Sequence, residues 1–98
     1  MDEKIDNVIK WADERGLIAY KNRFKQLAKT IEELGELSSA MLKKDDVKII
    51  DGIGDTYVTL IILAEDLGYS IDMCLQVAYD EIKGRTGRTI DGTFIKDK

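Results

Sequence analysis

Apolar residues recur every three or four positions along most of the chain, and this spacing predicts helices. The first helix is expected over about residues 2–14 and the second over about residues 18–42. The third is expected over about residues 47–67 and the fourth over about residues 71–83. Residues 84–98 have no helical period, so we expect a loop or an ordered tail there. The pattern therefore predicts an all-α fold of the four-helix-bundle type.

The first helix has Ile5, Val8, Ile9 and Ala12 at helical spacing, and the other three helices carry apolar surface as well. The stripe of the second helix is apolar or small and consists of Phe24, Leu27, Ile31, Leu34, Ser38 and Met41. The fourth helix is expected to face inward with Ile71, Leu75, Ala78 and Ile82. The middle of the third helix, residues 57–64, is apolar nearly all round. Such a helix is either central in the bundle or part of an oligomer interface.

Length and composition narrow the class of protein. A chain of 98 residues is expected to form one domain, and its small size favours a dimer or larger assembly. The net charge of −4 does not suggest a nucleic-acid-binding protein. The N-terminus has no apolar signal region, and no apolar run is long enough to span a membrane. These features predict a soluble cytoplasmic protein without a membrane partner.

The chain contains one thiol and no imidazole. The single cysteine, Cys74, lies in an apolar helical pattern and is expected to be a small core residue. The chain contains no histidine, so no imidazole is available to activate a thiol or to bind a metal. Any metal ion must therefore be held by oxygen ligands.

Two acidic clusters lie within the predicted second and third helices, and they are the strongest indication of chemistry. The first cluster is residues 32–36 and the second is residues 51–55. On the second helix, Lys29 and Glu33 are also spaced as an ordinary exposed ion pair, so this cluster alone is not decisive.

The second cluster favours a metal site more clearly. Asp51 and Asp55 share one helix face with Val58 and Ile62, so two carboxylates are followed directly by two large apolar residues. This order places the carboxylates at the mouth of a packed seam, where unpaired charges cost several kcal/mol. A divalent cation shared with Glu33 and Glu36 would compensate them, and an all-carboxylate set favours Mg²⁺, with Mn²⁺ as a possible substitute.

Three glycines lie beside the acids. Gly35, Gly52 and Gly54 each cost about 1 kcal/mol relative to alanine inside a helix. Close approach of two backbones, or room for a ligand, would explain them. The alternative is an ordinary helix irregularity at Gly52 and Gly54.

Mg²⁺ sites of this kind usually bind substrate phosphates, so basic residues are candidate phosphate contacts. The candidates are Lys29, Lys83, Arg85, Arg88 and Lys96. The alternative for the four C-terminal residues is ordinary solvated charge, with Lys83 complementing the dipole of its own helix.

Four blocks of the chain resemble the MazG-like family of all-α nucleoside triphosphate pyrophosphohydrolases, and more closely its small single-domain branch found in phages and mobile elements. The entry block begins at Trp11, and the most specific block runs from Gln26 through Lys29 to the segment Glu32-Glu33-x-x-Glu36. The second acidic cluster and the segment 79–96 complete the resemblance.

Two positions depart from the family pattern. The glutamate expected three residues before Asp55 is Gly52 here, and Asp51 is the obvious substitute because it shares the helix face. Asp80 stands where the family often has an amide. A carboxylate there cannot donate a hydrogen bond to a phosphate or a base, which leaves the choice of substrate open.

The resemblance implies hydrolysis of a (deoxy)nucleoside triphosphate to the monophosphate and pyrophosphate. Glu33, Glu36 and Asp55 would hold Mg²⁺ with Asp51 in a weakened fourth place. Glu32 would either support these ligands from behind or be the base that orients the attacking water. The residues implied to contact substrate are Gln26, Lys29, Asp80, Lys83, Arg85, Arg88 and Lys96, with Trp11 and Tyr57 beside the base. For Trp11 a place in the apolar core is an equal alternative.

The resemblance also implies an assembly, either a homodimer or a tetramer made of two dimers. Two other functions remain open. One is a non-catalytic helical oligomer that has lost full metal binding, for which Gly52 is the best support. The other keeps the chemistry with a different substrate, as in dimeric dUTPases or phosphoribosyl-ATP pyrophosphohydrolases.

Overall fold

A computed structural model describes residues 2–19 and 22–98 of the chain. In these two ranges, four helices are followed by a two-stranded sheet. In chain order the elements are α1 (Glu3–Glu14), α2 (Arg23–Leu42), α3 (Asp46–Asp66), α4 (Ile71–Ile82), β1 (Gly87–Ile90) and β2 (Thr93–Lys96). The predominantly helical prediction is therefore confirmed, with a small sheet added to it.

Helix ends agree with the sequence signals except at the start of α2. The Asp45 side chain accepts a hydrogen bond from the Lys48 amide, and the Ser70 side chain accepts one from the Met73 amide, so each caps the helix that follows. The second helix is expected from residue 18 but begins at Arg23. Part of the intervening segment, residues 20–21, lies outside the described residues.

The α2–α3 pair is the centre of the fold, with α1 packed on α3 and α4 touching α3 less extensively. On α2, the residues buried in this packing are Thr30, Glu33 and Ala40. On α3, the buried apolar residues include Ile61 and Ile62. The face of α2 that meets α3 therefore contains polar residues, and the glutamate Glu33 lies within it.

The apolar stripe of α2 faces solvent in the single chain. Phe24 is 80% exposed, Ile31 62% and Met41 60%. On α3, Ile50, Ile53, Tyr57 and Leu60 also remain exposed. Folding of one chain thus buries one side of each central helix and leaves large apolar side chains on the other.

The prediction that α4 faces inward is wrong for the single chain. No residue of α4 is buried, and Leu75 and Ile82 are 63% and 53% exposed. The physical reason is that α4 has only limited contact with α3, so most of its apolar surface meets no other helix. Cys74, expected in the core, is exposed for the same reason.

The C-terminal segment, expected as a loop or an ordered tail, is a β-hairpin. Strands β1 and β2 pair antiparallel, with Arg88 opposite Ile95. Asp91 and Gly92 form the connection with φ of 51° and 78°. An Asp-Gly pair between short β-prone segments favours a two-residue hairpin turn, so the signal is present in the sequence.

Gly52 is the one acidic-cluster glycine at which the helices come close. A Cβ atom at Gly52 would lie 3.3 Å from Cβ and Cδ1 of Leu37 on α2, whereas Gly35 and Gly54 have nothing within 4 Å. The prediction of a close backbone approach is confirmed at Gly52. At the other two glycines there is open space.

Gly54→Ala is expected to raise the free energy of unfolding by about 1 kcal/mol, since alanine favours the helix and meets no neighbour. Gly52→Ala is expected to gain less or to lose stability, because Leu37 Cβ is fixed to its backbone and α2 must move away. Urea denaturation of both variants measures the difference. Equal gains would contradict the close approach.

Candidate metal and substrate site between helices α2 and α3

Glu33 lies in the α2–α3 packing face and is only 8% exposed. The ammonium of Lys29 lies 3.5 Å from a carboxylate oxygen of Glu33 and 3.5 Å from one of Glu32. The Lys29 side chain itself is half exposed. The Glu32 carboxylate, and after it that of Glu33, raises the pKa of Lys29 above its ordinary value. The expected ion pair is therefore present, but its buried partner faces α3 and not solvent.

Asp55 on α3 is the point at which the acidic residues meet. Its pKa is raised above the ordinary value of 3.8, first by burial and then by the negative charges of Asp51 and Glu33. Carboxylates from α2 and α3 therefore act on one another through space. Asp51, Asp55 and Glu33 are therefore close enough to interact electrostatically, while a metal ion shared between the two clusters stays a prediction.

Two cavities meet at Asp55. The smaller, of about 320 Å³, is lined by Glu36, Asp51, Gly52 and Asp55 together with Ser39, Ala40, Lys43 and Lys48. The larger, of about 500 Å³, includes Glu33 and Asp55 in its wall. The four predicted metal ligands thus border two adjoining cavities, and only Asp55 belongs to both.

The larger cavity combines a charged end with an apolar end. Val58 and Ile62 on α3 and Trp11 on α1 supply its apolar surface. The seam predicted from the order of carboxylates and apolar residues on α3 is therefore present. A volume of about 500 Å³ lies within the range of small-molecule sites.

Trp11 lines this cavity, and Tyr57 does not. The indole is 47% exposed, so the alternative that Trp11 belongs to the core is wrong for the single chain. The guanidinium carbon of Arg15 lies 4.4 Å from the ring centre. This cation–π contact covers one face of the ring and helps to fix its orientation.

The donor chemistry of the site fits a hard cation, since the converging side chains offer oxygen only. Even so, in the part of the chain that the structure describes, no three carboxylate or thiol side chains already form a metal-binding group. The ammonium of Lys29 lies beside Glu33 and already supplies a positive charge to this carboxylate. A bound cation would have to share Glu33 with Lys29 or replace it.

The predicted phosphate contacts at the end of α4 do not line either cavity. Lys83 pairs with Asp80 at 2.9 Å, and Arg85 hydrogen-bonds Glu81 at 2.6 Å. Asp80 also accepts a hydrogen bond from Gln76, so it acts within α4. One chain therefore does not bring these residues to the α2–α3 site.

Arg88 in β1 and Lys96 in β2 likewise lie in the hairpin and away from both cavities. Gln26 and Lys29, by contrast, line the larger cavity as predicted. Of the proposed substrate contacts, only those on α1 and α2 are brought together by the fold of a single chain.

Several residues of the larger cavity were not predicted from the sequence. These are Leu17, Asn22, Lys25 and Thr59. A signal for Asn22 and Lys25 exists, because they precede Gln26 and Lys29 by one helical turn. Thr59 and Leu17 come from other parts of the chain, so only the tertiary structure identifies them.

Comparison with known proteins identifies a phage relative. Over 65 residues, or 66% of this chain, the sequence is 38% identical to an uncharacterized 18.2 kDa protein in the rep-hol intergenic region of Haemophilus phage HP1 (strain HP1c1). The match covers 40% of the length of that phage protein. No family model matches the chain, and no solved structure matches it.

Across the described ranges, every helix is too short or too polar to cross a membrane.

Proposed function

We propose that this chain is a Mg²⁺-dependent nucleoside triphosphate pyrophosphohydrolase that converts a (d)NTP and water to the monophosphate and pyrophosphate. The observation that carries the proposal is Asp55, which lines the cavity with an apolar end together with Glu33 and the smaller cavity together with Asp51 and Glu36. The resemblance of the acidic and flanking blocks to MazG-like enzymes supports it. A role in clearing unwanted nucleotides from the pool would follow.

Glu33, Glu36 and Asp55 are the residues that would hold Mg²⁺, with Asp51 in a fourth place. Asp51 and Asp55 are separated by one helical turn, and both line the smaller cavity with Glu36. When bound, the ion supplies charge neutralisation on the phosphates and activation of a water. The negative charges that raise the pKa of Asp55 are the charges that such an ion would relieve.

Lys29 and Glu32 would act on the phosphates and the water. Since the Lys29 ammonium is half exposed and 3.5 Å from two glutamates, it can turn from them to the triphosphate. The exposed carboxylate of Glu32 would then accept a proton from the attacking water. The oxygen of that water bonds to the α-phosphorus, the bond to the bridging oxygen breaks, and pyrophosphate leaves.

The exposed apolar faces support a homo-oligomer, either a dimer or a tetramer. Large apolar side chains are exposed along α2, α3 and α4, and exposed apolar surface on this scale favours an interaction site. In such an assembly, Arg88 and Lys96 of one hairpin would reach the phosphates bound to a neighbouring copy. This arrangement would give the hairpin a role that it does not have in the single chain.

A non-catalytic helical oligomer is the second candidate function. Its support is Gly52 in place of a motif glutamate, with a close contact to Leu37 that leaves little room for a larger side chain. The same apolar faces would then serve association alone.

Pyrophosphate release from the eight common NTPs and dNTPs, with Mg²⁺ and with EDTA, separates the two functions. We expect Mg²⁺-dependent release of pyrophosphate together with the monophosphate. Release that persists in EDTA would contradict the metal assignment. Absence of release with every nucleotide, from protein that is helical by circular dichroism, would favour the non-catalytic oligomer.

A further inference from the structure

The smaller cavity is lined by two lysines as well as by three carboxylates. Lys43 is the residue that follows α2, and Lys48 lies in the first turn of α3. Both line the cavity, and both are exposed. The half-buried Ser39 adds a hydroxyl group to the same lining. Positively charged side chains therefore reach this cavity from both ends of the α2–α3 connection, and the proposed metal site gives them no role.

The ammonium groups of these two lysines are available for an anion. Lys29, which lines the larger cavity, lies 3.5 Å from the carboxylate of Glu33. By contrast, none of the ion pairs among the described residues involves Lys43 or Lys48. A lysine carries its charge on a flexible four-carbon stem, so an exposed lysine at the edge of a cavity can turn its ammonium toward a ligand inside.

The two cavities follow one another along the α2–α3 pair. On α3, the larger cavity is lined between Asp55 and Ile62, and the smaller between Lys48 and Asp55. On α2 and its flanking residues, the larger is lined within 22–33 and the smaller within 36–43. Lys48 and Ile62 lie about 10 Å from Asp55 along the helix axis, in opposite directions, at 1.5 Å per residue. Along α3 the lining thus changes from apolar residues, through carboxylates, to a lysine.

A nucleoside triphosphate has its chemical groups in the same order. The base is at one end, the α-phosphate is in the middle, and the β- and γ-phosphates are at the other end. With the base against Val58 and Ile62 and the α-phosphate beside Asp55, the last two phosphates lie in the smaller cavity. We propose that Lys43 and Lys48 bind these two phosphates and then the pyrophosphate that leaves, an inference that rests on the proposed function.

The two lysines would act on the charge that hydrolysis moves. When the bond between the α-phosphorus and the bridging oxygen breaks, that oxygen keeps the electron pair and becomes part of pyrophosphate. Ammonium groups that donate hydrogen bonds to the leaving phosphates offset this charge. Because Glu36, Asp51 and Asp55 line the same cavity, pyrophosphate is expected to bind well only when Mg²⁺ is present.

Titration calorimetry with inorganic pyrophosphate in Mg²⁺ tests this subsite without any hydrolysis. We expect Lys43→Met and Lys48→Met each to weaken pyrophosphate binding about tenfold, since each removes one charge-assisted contact. Lys44→Met is the matched control, because Lys44 is exposed and lines neither cavity. It is expected to bind pyrophosphate as the wild type does. Wild-type affinity in both Lys43→Met and Lys48→Met, or no binding to the wild type, would overturn the proposal.

A second titration tests the direction of the nucleotide. Trp11 lines the larger cavity and is the only tryptophan in the chain, so its fluorescence reports binding there. The ligands are dAMP, dTMP and the α,β-imido analogues of dATP and dTTP, which resist cleavage at the α-phosphorus. In Lys43→Met and Lys48→Met we expect the triphosphate analogues to bind about tenfold more weakly, while the monophosphates bind as before. Equal weakening of both kinds of ligand would contradict a subsite for the β- and γ-phosphates.

The two proposals fail in different ways. Pyrophosphate binding that depends on Lys43 and Lys48, without hydrolysis of any nucleotide, would refute the hydrolase and leave the phosphate subsite intact. Mg²⁺-dependent hydrolysis, with unchanged pyrophosphate binding in both lysine variants, would refute the subsite and leave the hydrolase intact.

Discussion

Asp55→Asn is expected to lower the Mg²⁺-dependent kcat/KM for nucleoside triphosphates by about a thousandfold or more. Asp55 is the residue that borders both cavities, and its carboxylate interacts with those of Asp51 and Glu33. Asparagine keeps the size of the side chain but removes the negative charge that a cation requires. Pyrophosphate release measured against Mg²⁺ concentration gives the result directly.

The same variant is expected to be at least as stable as the wild type in EDTA at neutral pH. Because the folded-state pKa of Asp55 is raised, its contribution to stability is present below the ordinary value of 3.8 and is lost as the pH rises through the raised pKa. Asparagine is neutral, so the charges of Asp51 and Glu33 do not repel it and this loss of stability does not occur. As the pH is lowered from above the raised pKa of Asp55 to below 3.8, the free energy of unfolding of the wild type should increase relative to that of Asp55→Asn.

Thermal unfolding between pH 3 and pH 8 measures this difference. Asp13→Asn, on the exposed surface of α1, is the charge-matched control and should retain activity. A lower Tm for Asp55→Asn at neutral pH would show that Asp55 is structural. Full activity in that variant would rule it out as a metal ligand.

Ile31→Glu is expected to dissociate the proposed oligomer. Ile31 lies in the middle of the apolar stripe of α2 and is 62% exposed in the single chain. If that stripe is buried against a second copy, a glutamate there loses its hydration without a partner, which costs several kcal/mol. In symmetric assemblies the cost occurs in every copy. We expect a wild-type mass that is a multiple of 11.1 kDa and a variant that is mainly monomeric.

Light scattering after size-exclusion chromatography measures both masses. Asn7→Glu adds the same charge at an exposed position of α1 and not on the stripe of α2, and it should leave the mass unchanged. A wild-type mass of 11.1 kDa at micromolar concentration would refute the oligomer. The exposed apolar faces would then need a different partner. Loss of pyrophosphate release together with the oligomer would indicate that a neighbouring copy completes the site.

The local part of this fold is predictable because its determinants are local. The spacing of apolar residues and the side chains of Asp45 and Ser70 specify most helix limits within the chain segment itself. The Asp91-Gly92 turn is equally local. The absence of a helical period in residues 84–98 predicts a loop or an ordered tail and does not by itself reveal the hairpin. The spacing of Asp51 and Asp55, four residues apart in a helix, likewise suffices to place both carboxylates on one face.

Only the tertiary structure decided which helix faces pack against one another. An apolar stripe suggests a buried face, yet α2 packs on α3 through Thr30, Glu33 and Ala40 and leaves that stripe exposed. The contact of Gly52 with Leu37 allows the helices this close approach. The cavity is likewise tertiary, since Trp11, the start of α2 and the middle of α3 are far apart in sequence. Helical periodicity determines the faces of a single helix, but the energy of pairing two faces depends on shapes that a one-dimensional pattern does not contain.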